Sequence, residues 1–386
     1  MSFWHALPKP IIVLAPMADV TDASFRRMIA KYSRHTRKGG TLGGPDVMWT
    51  EFVSADGLVR APEEGKKKLM ADLQYSEEER PIVAQLFSSN PEHMEQASAL
   101  CRELGFDGID INMGCPDRSI EKQGCGSAMI KTPDKAREII RAAKRGAQGI
   151  PVSVKTRIGY LKNELSTWLP ELLSEHPAVI TIHARTRKEM SKVSARWEHV
   201  AEAVALRNEI QNEAWQKEHP DEERTLIFGN GDVTSLDDAY RKAGETGADG
   251  IMLGRAIFGN PWLFKPSMQL SERIASSETS SPVYHTNTYD SLHDSSLSHP
   301  SSHSVALSYK ACHVSLAEQL LVLVEHARLF EEILPHKNFA LMKKHFKSYV
   351  HDFDGARELR AVLMEAENSD ELEAVVNRFL KEGIHT

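Results

Sequence analysis

Residues 107–130 read DGIDINMGCPDRSIEKQGCGSAMI, and the rest of the chain is organised around them. From Phe106 to Asn112 acidic and aliphatic residues alternate, the pattern of a strand. The run stops at Gly114-Cys115-Pro116, and a proline cannot continue a hydrogen-bonded ladder. Cys115 is thereby placed on the loop that leaves a strand. A charged stretch follows, then Gly124-Cys125-Gly126-Ser127, whose glycines permit tight backbone turns. A reactive group on a mobile loop above a strand end is where a βα-barrel enzyme keeps its chemistry. A lone cysteine is ordinarily a small buried hydrophobe. Here Asn112, Gly114 and Pro116, and the rest of the chain, favour chemistry at Cys115.

Outward from this stretch, strand-like and helix-like segments alternate. The strand windows are 11–17, 47–53, 81–87, 106–112, 151–157, 178–184, 225–231 and 249–255. Helical windows such as PEHMEQASALCREL (91–104) and PDKAREIIRAAKRG (133–146) fall between them. The strands are short and aliphatic on both faces, as parallel strands covered by helices are. Eight strands in α/β alternation predict a (β/α)8 TIM barrel rather than an open doubly wound sheet. The connection 54–80 is long and charged, and its helix has no clear position. Residues 34–46, glycine-rich and basic, and 211–224, highly charged, read as surface excursions.

The composition changes after the barrel. Ser, Thr and His supply 19 of the 34 residues from Ser271 to Ser304, too few apolar groups to offset the ordering entropy. Residues 315–380 return to helical periodicity and read as a small all-α bundle. The expected organisation is therefore a catalytic barrel (1–265), a disordered Ser/His-rich linker (266–314) and a helical domain (315–386).

Composition narrows the function. The 386 residues carry a net charge of −7, so any nucleic-acid site must be a local patch. The four cysteines, Cys101, Cys115, Cys125 and Cys312, lack zinc-ligand spacing and suggest a reducing compartment; no metal is expected. MSFWHALPKP has no apolar core of signal-peptide length, and no run approaches the roughly 18 apolar residues of a membrane span. A soluble intracellular protein is expected, in the cytoplasm, with an organelle address left open. Oligomeric state is not legible.

In a barrel the C-terminal strand ends converge on one site. Here they carry Ala15-Pro16-Met17, Gln85, Asn112 with Cys115, Lys155, His183, Asn230-Gly231-Asp232 and Gly254-Arg255. The last two motifs follow strands seven and eight, where barrels build phosphate sites from backbone N–H groups. Arg255 can fork onto phosphate oxygens, and Lys155 adds charge in the barrel mouth. A phosphorylated cofactor that gains negative charge on reduction, as FMN does, suits both ends; a sugar phosphate fits the phosphate end equally well.

The set APMADVTDASFR, TEFVSA, AQLF, DINMGCP…GCGSAMI, VKTRIG, IHARTR, GNGDV and GRAIFGNPW resembles the dihydrouridine synthase family, flavoenzymes that reduce particular uridines in tRNA. The resemblance spans most of 11–264, and the helical tail shares it more weakly through MKKHFKSY. It implies FMN binding by Pro16, Met17, Ala18, Gln85, Lys155, His183, Asn230, Gly231, Asp232, Gly254 and Arg255. It implies Cys115 as the catalytic proton donor and NADPH as a transient hydride donor. No Rossmann G-x-G-x-x-G opens a βαβ unit. Cys125 stands where the family has a small residue, and a packing role is expected for it. No positive charge adjoins Cys115 in sequence, which suits a protonated thiol, although Arg118 and Lys122 are near.

For the substrate, Asn112 is a reasonable partner for a uracil edge. Phe339, Met342, Phe346, Tyr349, Val350 and Phe353 form one apolar stripe of a helix over 337–353. Lys337, Lys343, Lys344, Lys347 and His351 occupy the opposite face and are the expected tRNA phosphate contacts. Two other readings are an FMN barrel acting on a small molecule, as dihydroorotate dehydrogenases do, and a tRNA-binding protein without redox activity. The first needs no basic helical tail, and the second expects gaps in the flavin set.

Overall fold

The computed structural model describes residues 2–37, 40–265 and 314–382. Of the expected linker, residues 266–313, including Cys312, lie outside the described residues, and so do 38–39 and 383–386.

Eight parallel strands follow the predicted windows: β1 (Ile11–Leu14), β2 (Met48–Ser54), β3 (Ile82–Phe87), β4 (Gly108–Met113), β5 (Val152–Arg157), β6 (Val179–His183), β7 (Leu226–Asn230) and β8 (Gly250–Leu253). Each pairs with its successor from β2 through β8, and β8 pairs with β1. The β1–β2 seam is joined just before β2. Asp46 N donates to Ile12 O at 2.7 Å, the Asp46 carboxylate accepts from Ile12 N at 2.7 Å, and Leu14 N donates to Val47 O at 3.3 Å. One side chain thus stands in for missing ladder.

Helices cover the outside, among them α1 (Ala23–Ser33), α2 (Pro91–Glu103), α3 (Pro133–Ala147), α4 (Leu165–Leu173), α5 (Glu198–Ile210) and α6 (Leu236–Thr246). The connection that sequence left open folds as helices Ala55–Arg60 and Glu63–Asp72. Of the two excursions, 34–46 carries a two-stranded hairpin, His35–Thr36 with Leu42–Gly43, and 211–224 carries a helix, Glu213–Glu218.

Period-two alternation splits each strand between two cores. Ile12 and Leu14 face the helices, while Ile11 and Val13 face the barrel interior with Trp49, Val83 and Phe228. Trp4 of the N-terminal turn belongs to this inner cluster, its ring 5.6 Å from both Trp49 and Phe228. Aromatic volume fills the interior there, and the interior turns polar toward Gln85, Asp110 and Ser153.

The tail has α7 (Leu316–Ile333), α8 (Lys343–Tyr349), α9 (Ala356–Leu363) and α10 (Ser369–Glu382). It forms one compact unit with the barrel. Met28 and Trp262 of the barrel share its apolar cluster with Leu323, Phe330 and Phe346. Lys31 pairs with Glu325 at 2.6 Å, and Tyr32 donates to the same carboxylate at 2.7 Å. At Gly259 (φ +69°) a Cβ would fall 1.8 Å from Ser348 O, so only glycine permits this approach of barrel loop to tail.

One helix expectation needs correction. The stretch 337–353 is not continuous helix: a 3-10 turn over Phe339–Met342 leads into α8, which stops at Tyr349. Phe339, Met342, Phe346, Tyr349 and Val350 are nevertheless buried. Among the described residues no helix is long and apolar enough to cross a membrane.

Candidate active site

The strand ends build two adjoining groups of side chains. One lines a cavity of about 290 Å3 formed by Ala15, Pro16 and Met17 after β1, Lys155 on β5, His183 and Arg185 at the end of β6, Asn230-Gly231-Asp232 after β7 and Gly254-Arg255 after β8. Nine of the eleven residues expected around a cofactor are therefore brought together. Ala18 is exposed beyond the rim, and Ala15 lines the wall instead. Gln85 is buried and belongs to the second group.

The cavity wall is cationic and ordered. Lys155 Nζ lies 3.4 Å from Asn230 Oδ1, and burial brings its pKa down to about 8. Burial, reinforced by Lys155, Arg157, Arg185 and Arg255, holds His183 well below the ordinary imidazole range, so it is a neutral ring. Asp232 is ion-paired to the buried Arg185 and bonded by Arg255 at 2.7 Å; the Arg185 bond first of all keeps it below the usual carboxylate range. Arg255 is 63% exposed, so its guanidinium reaches solvent as well as Asp232. Arg185, like Ser191 and Val233, lines the cavity and was missed by reading strand ends. It stands two places past His183 in IHARTR, beyond the point where the apolar run stops.

The second group surrounds Cys115. Asn112 lies beside Lys155 in the β4–β5 register. Its Nδ2 donates to Gln85 Oε1 at 3.2 Å, and Gln85 donates to Asp110 at 2.7 Å. Asp110 also accepts from Ser153 at 2.6 Å, yet full burial pushes its pKa up to about 6. Asn112 Oδ1 accepts from Gly114 N at 3.1 Å and Cys115 N at 2.9 Å. That oxygen is occupied in shaping the cysteine turn, and a uracil edge would find only the amide nitrogen side.

The loop expected to be mobile is pinned at every backbone group near the thiol. Ser127 donates to Cys115 O from its N–H (2.9 Å) and its hydroxyl (2.8 Å). Arg157 Nε donates to Gly114 O at 2.7 Å. The charged stretch is a short helix, Arg118–Lys122, capped by Asp117. Gly126 (φ +60°) packs so closely that a Cβ there would sit 2.7 Å from Cys115 O. Cys125 is fully buried against Phe87 and Ile120, and burial pushes its pKa up to about 11. Cys101 is likewise buried in a helix.

The thiol of Cys115 is half-buried. Desolvation raises its pKa more than the Asp117 backbone N–H, and after it Arg157 and Lys155, lower it, so the group stays protonated at neutral pH. Sequence placed no cation beside it; the fold brings two from β5.

The tail lysines divide. Lys343, Lys344 and Lys347 line a groove of about 560 Å3 with Arg357, Arg360, Ala361 and Met364. Lys337, expected on the same face, is turned inward: its ammonium pairs with Glu51 at 2.9 Å and Asp72 at 2.8 Å, and its side chain is 14% exposed. It is taken out of the phosphate-facing set because the buried Glu51 and the partly exposed Asp72 hold its charge. His351 is exposed beyond the end of α8 and bonds Asp352.

The family model described as "Dihydrouridine synthase (Dus)" matches residues 13–384. A Bacillus subtilis (strain 168) protein named "Probable tRNA-dihydrouridine synthase 2" is 36% identical over 98% of this chain and 96% of its own length. A Staphylococcus aureus (strain COL) protein named "Probable tRNA-dihydrouridine synthase" is 34% identical over 98% of this chain and 95% of its own. Likeness to solved structures is looser: a morphinone reductase in complex with tetrahydroNAD has a TM-score of 0.39 at 12% identity, covering 70% of this chain and 87% of that one. The match of the family model across nearly the whole sequence, with relatives covered along almost their whole length, makes the chain a member of the dihydrouridine synthase family.

Proposed function

We propose that this member reduces the C5–C6 double bond of uridines in tRNA, with FMN held in the strand-end cavity and Cys115 as proton donor. The observation that carries the reading is the protonated, backbone-pinned thiol of Cys115 next to a cavity lined by three cations, Lys155, Arg185 and Arg255.

The donor set fits FMN. Gly254 and Gly231 expose backbone, and Arg185 and Arg255 stand where a phosphate needs positive charge. Pro16, Met17, Lys155, His183, Asn230 and Asp232 complete the enclosure. FMN bound there would supply the hydride, drawn from NADPH that visits transiently. The chain's own residues do the rest. Lys155 stabilises negative charge in the mouth. The pinned turn aims the thiol, and Cys115 Sγ–H delivers a proton to C5. A cysteine serves as an acid only while protonated, the opposite of a nucleophilic thiolate. A base in folded tRNA must leave its stack to reach a barrel mouth, and the amide nitrogen of Asn112 is available to its edge. Lys343, Lys344 and Lys347, with Arg357 and Arg360, offer phosphate contacts on the tail.

This division of labour assigns catalysis to 1–265 and RNA contact to 315–386, with 266–314 as a connecting linker and the cytoplasm as the site of action. The test is nucleoside mass spectrometry of tRNA from cells lacking the chain, with each uridine mapped. Loss of dihydrouridine at defined positions, restored by the wild type and not by Cys115→Ala, is expected. Unchanged dihydrouridine throughout would overturn the proposal, and reduction of a free pyrimidine in place of tRNA would favour the small-molecule reading.

A further inference from the structure

Strand β2 carries a defect at its centre. Trp49 pairs with Val83 and Phe52 with Gln85, so three steps along β2 match two along β3, a β-bulge at Thr50-Glu51. The lost ladder bond is patched locally. Thr50 Oγ1 accepts from Gln85 N at 3.1 Å and donates to Glu51 O at 2.8 Å. Bulges re-aim side chains, and this one aims Glu51 across the β1–β2 seam.

The Glu51 carboxylate is 8% exposed and has two kinds of partner. One oxygen accepts from the backbone N–H of Asp19, in the loop whose Pro16 and Met17 line the cavity. The other accepts from Lys337 of the tail at 2.9 Å. Asp19 itself sits at φ +56°, a left-handed conformation that a non-glycine residue holds only with local support. Lys337 is shared with Asp72, from the helix after β2, so the tail lysine closes a buried bridge among three parts of the barrel. Lys344 lies within electrostatic reach of Asp19, Asp22 and Glu51, which places the basic groove of the tail beside the same rim.

We propose that Glu51 and Lys337 are positioning residues: docking of the tail, through the Lys337–Glu51–Asp19 chain, holds the cavity loop 16–21 in its working shape and in register with the RNA-binding groove. The bulge needs no such outcome for folding, since an unbulged strand would keep the ladder intact. What it adds is a carboxylate that only a tail lysine completes.

Lys337→Met cuts the chain from the tail side. Because it leaves the buried Glu51 carboxylate unpaired, the double variant Glu51→Gln/Lys337→Met is measured beside it; there the one carboxylate that loses its lysine is Asp72, which is 25% exposed and reaches water. Amide hydrogen exchange of Asp19, Val20 and Thr21 should rise at least about tenfold in both variants relative to amides of β4 and β5. General destabilisation would raise all of these together. KM for tRNA should rise about tenfold with kcat changed less than about threefold, and Lys337→Arg should recover most of it. The use of tRNA as substrate rests on the proposed function. If the wild type reduces no uridine, that reading fails, and the exchange data alone still decide the coupling. Loop exchange that matches wild type in both variants, or that rises only in step with β4 and β5, overturns the inference.

Discussion

Gly126→Ala isolates the geometry that holds the Cys115 turn. The residue has φ +60°, where an alanine costs about 1–2 kcal/mol. Its new Cβ would lie 2.7 Å from Cys115 O, a backbone atom that cannot rotate away. If that carbonyl yields, it leaves the N–H and hydroxyl of Ser127, two hydrogen bonds worth about 0.5–1.5 kcal/mol each. The expected destabilisation is then about 2–5 kcal/mol. Gly124 supplies the control. It has φ +73° but meets only the Ser89 side chain, at 3.6 Å, so Gly124→Ala should lose about 1–2 kcal/mol, the conformational part alone. Urea unfolding of the two variants should therefore differ by about 1–3 kcal/mol, the hydrogen-bond share. Under conditions where both remain folded, Gly126→Ala should lose at least about tenfold in kcat for uridine reduction, because a displaced acid misses its target. Gly124→Ala should stay near wild type. Equal unfolding midpoints together with equal rates would refute the claim that Cys115 depends on this close packing.

Cys115→Ala should retain flavin and tRNA affinity yet lose about 10²–10⁴-fold in uridine reduction, the usual share of a general acid, whereas Cys125→Ala should be far milder; exchanged phenotypes would show that the wrong cysteine was chosen. Lys155 is charged below its pKa of about 8 and neutral above it, so flavin retention, followed by fluorescence of the released cofactor, should weaken as pH rises through about 8. Lys155→Met should bind weakly at every pH, and a pH dependence surviving in that variant would assign the effect elsewhere. Replacing Lys343, Lys344 and Lys347 together with alanine should weaken tRNA binding and flatten its salt dependence by about 0.7–0.9 per lost phosphate contact. Flavin content should not change, and an unaltered salt slope would return this face to plain solvent.

The order of eight strands, their C-terminal polar residues and the glycine-flanked cysteine were legible in the sequence because each is a local property. Burial on both faces of a parallel strand writes itself as an aliphatic run, and a barrel collects the ends of such runs at one rim. The tail's apolar stripe was legible for the same reason, although the break of 337–353 into a 3-10 turn and the short α8 was not. What tertiary structure alone decided concerns partners remote in the chain. Lys337 looked like one more solvent lysine until Glu51, 286 residues away, and Asp72 took its charge. Arg157 and Lys155 reach Cys115 only because β5 is registered against β4. Asn112 looked free for substrate until Gln85 and the Cys115 turn claimed most of its hydrogen-bonding capacity. Periodicity reports which face of an element is buried; it carries no record of which distant side chain meets that face, and hydrogen bonds and charges are settled by that meeting.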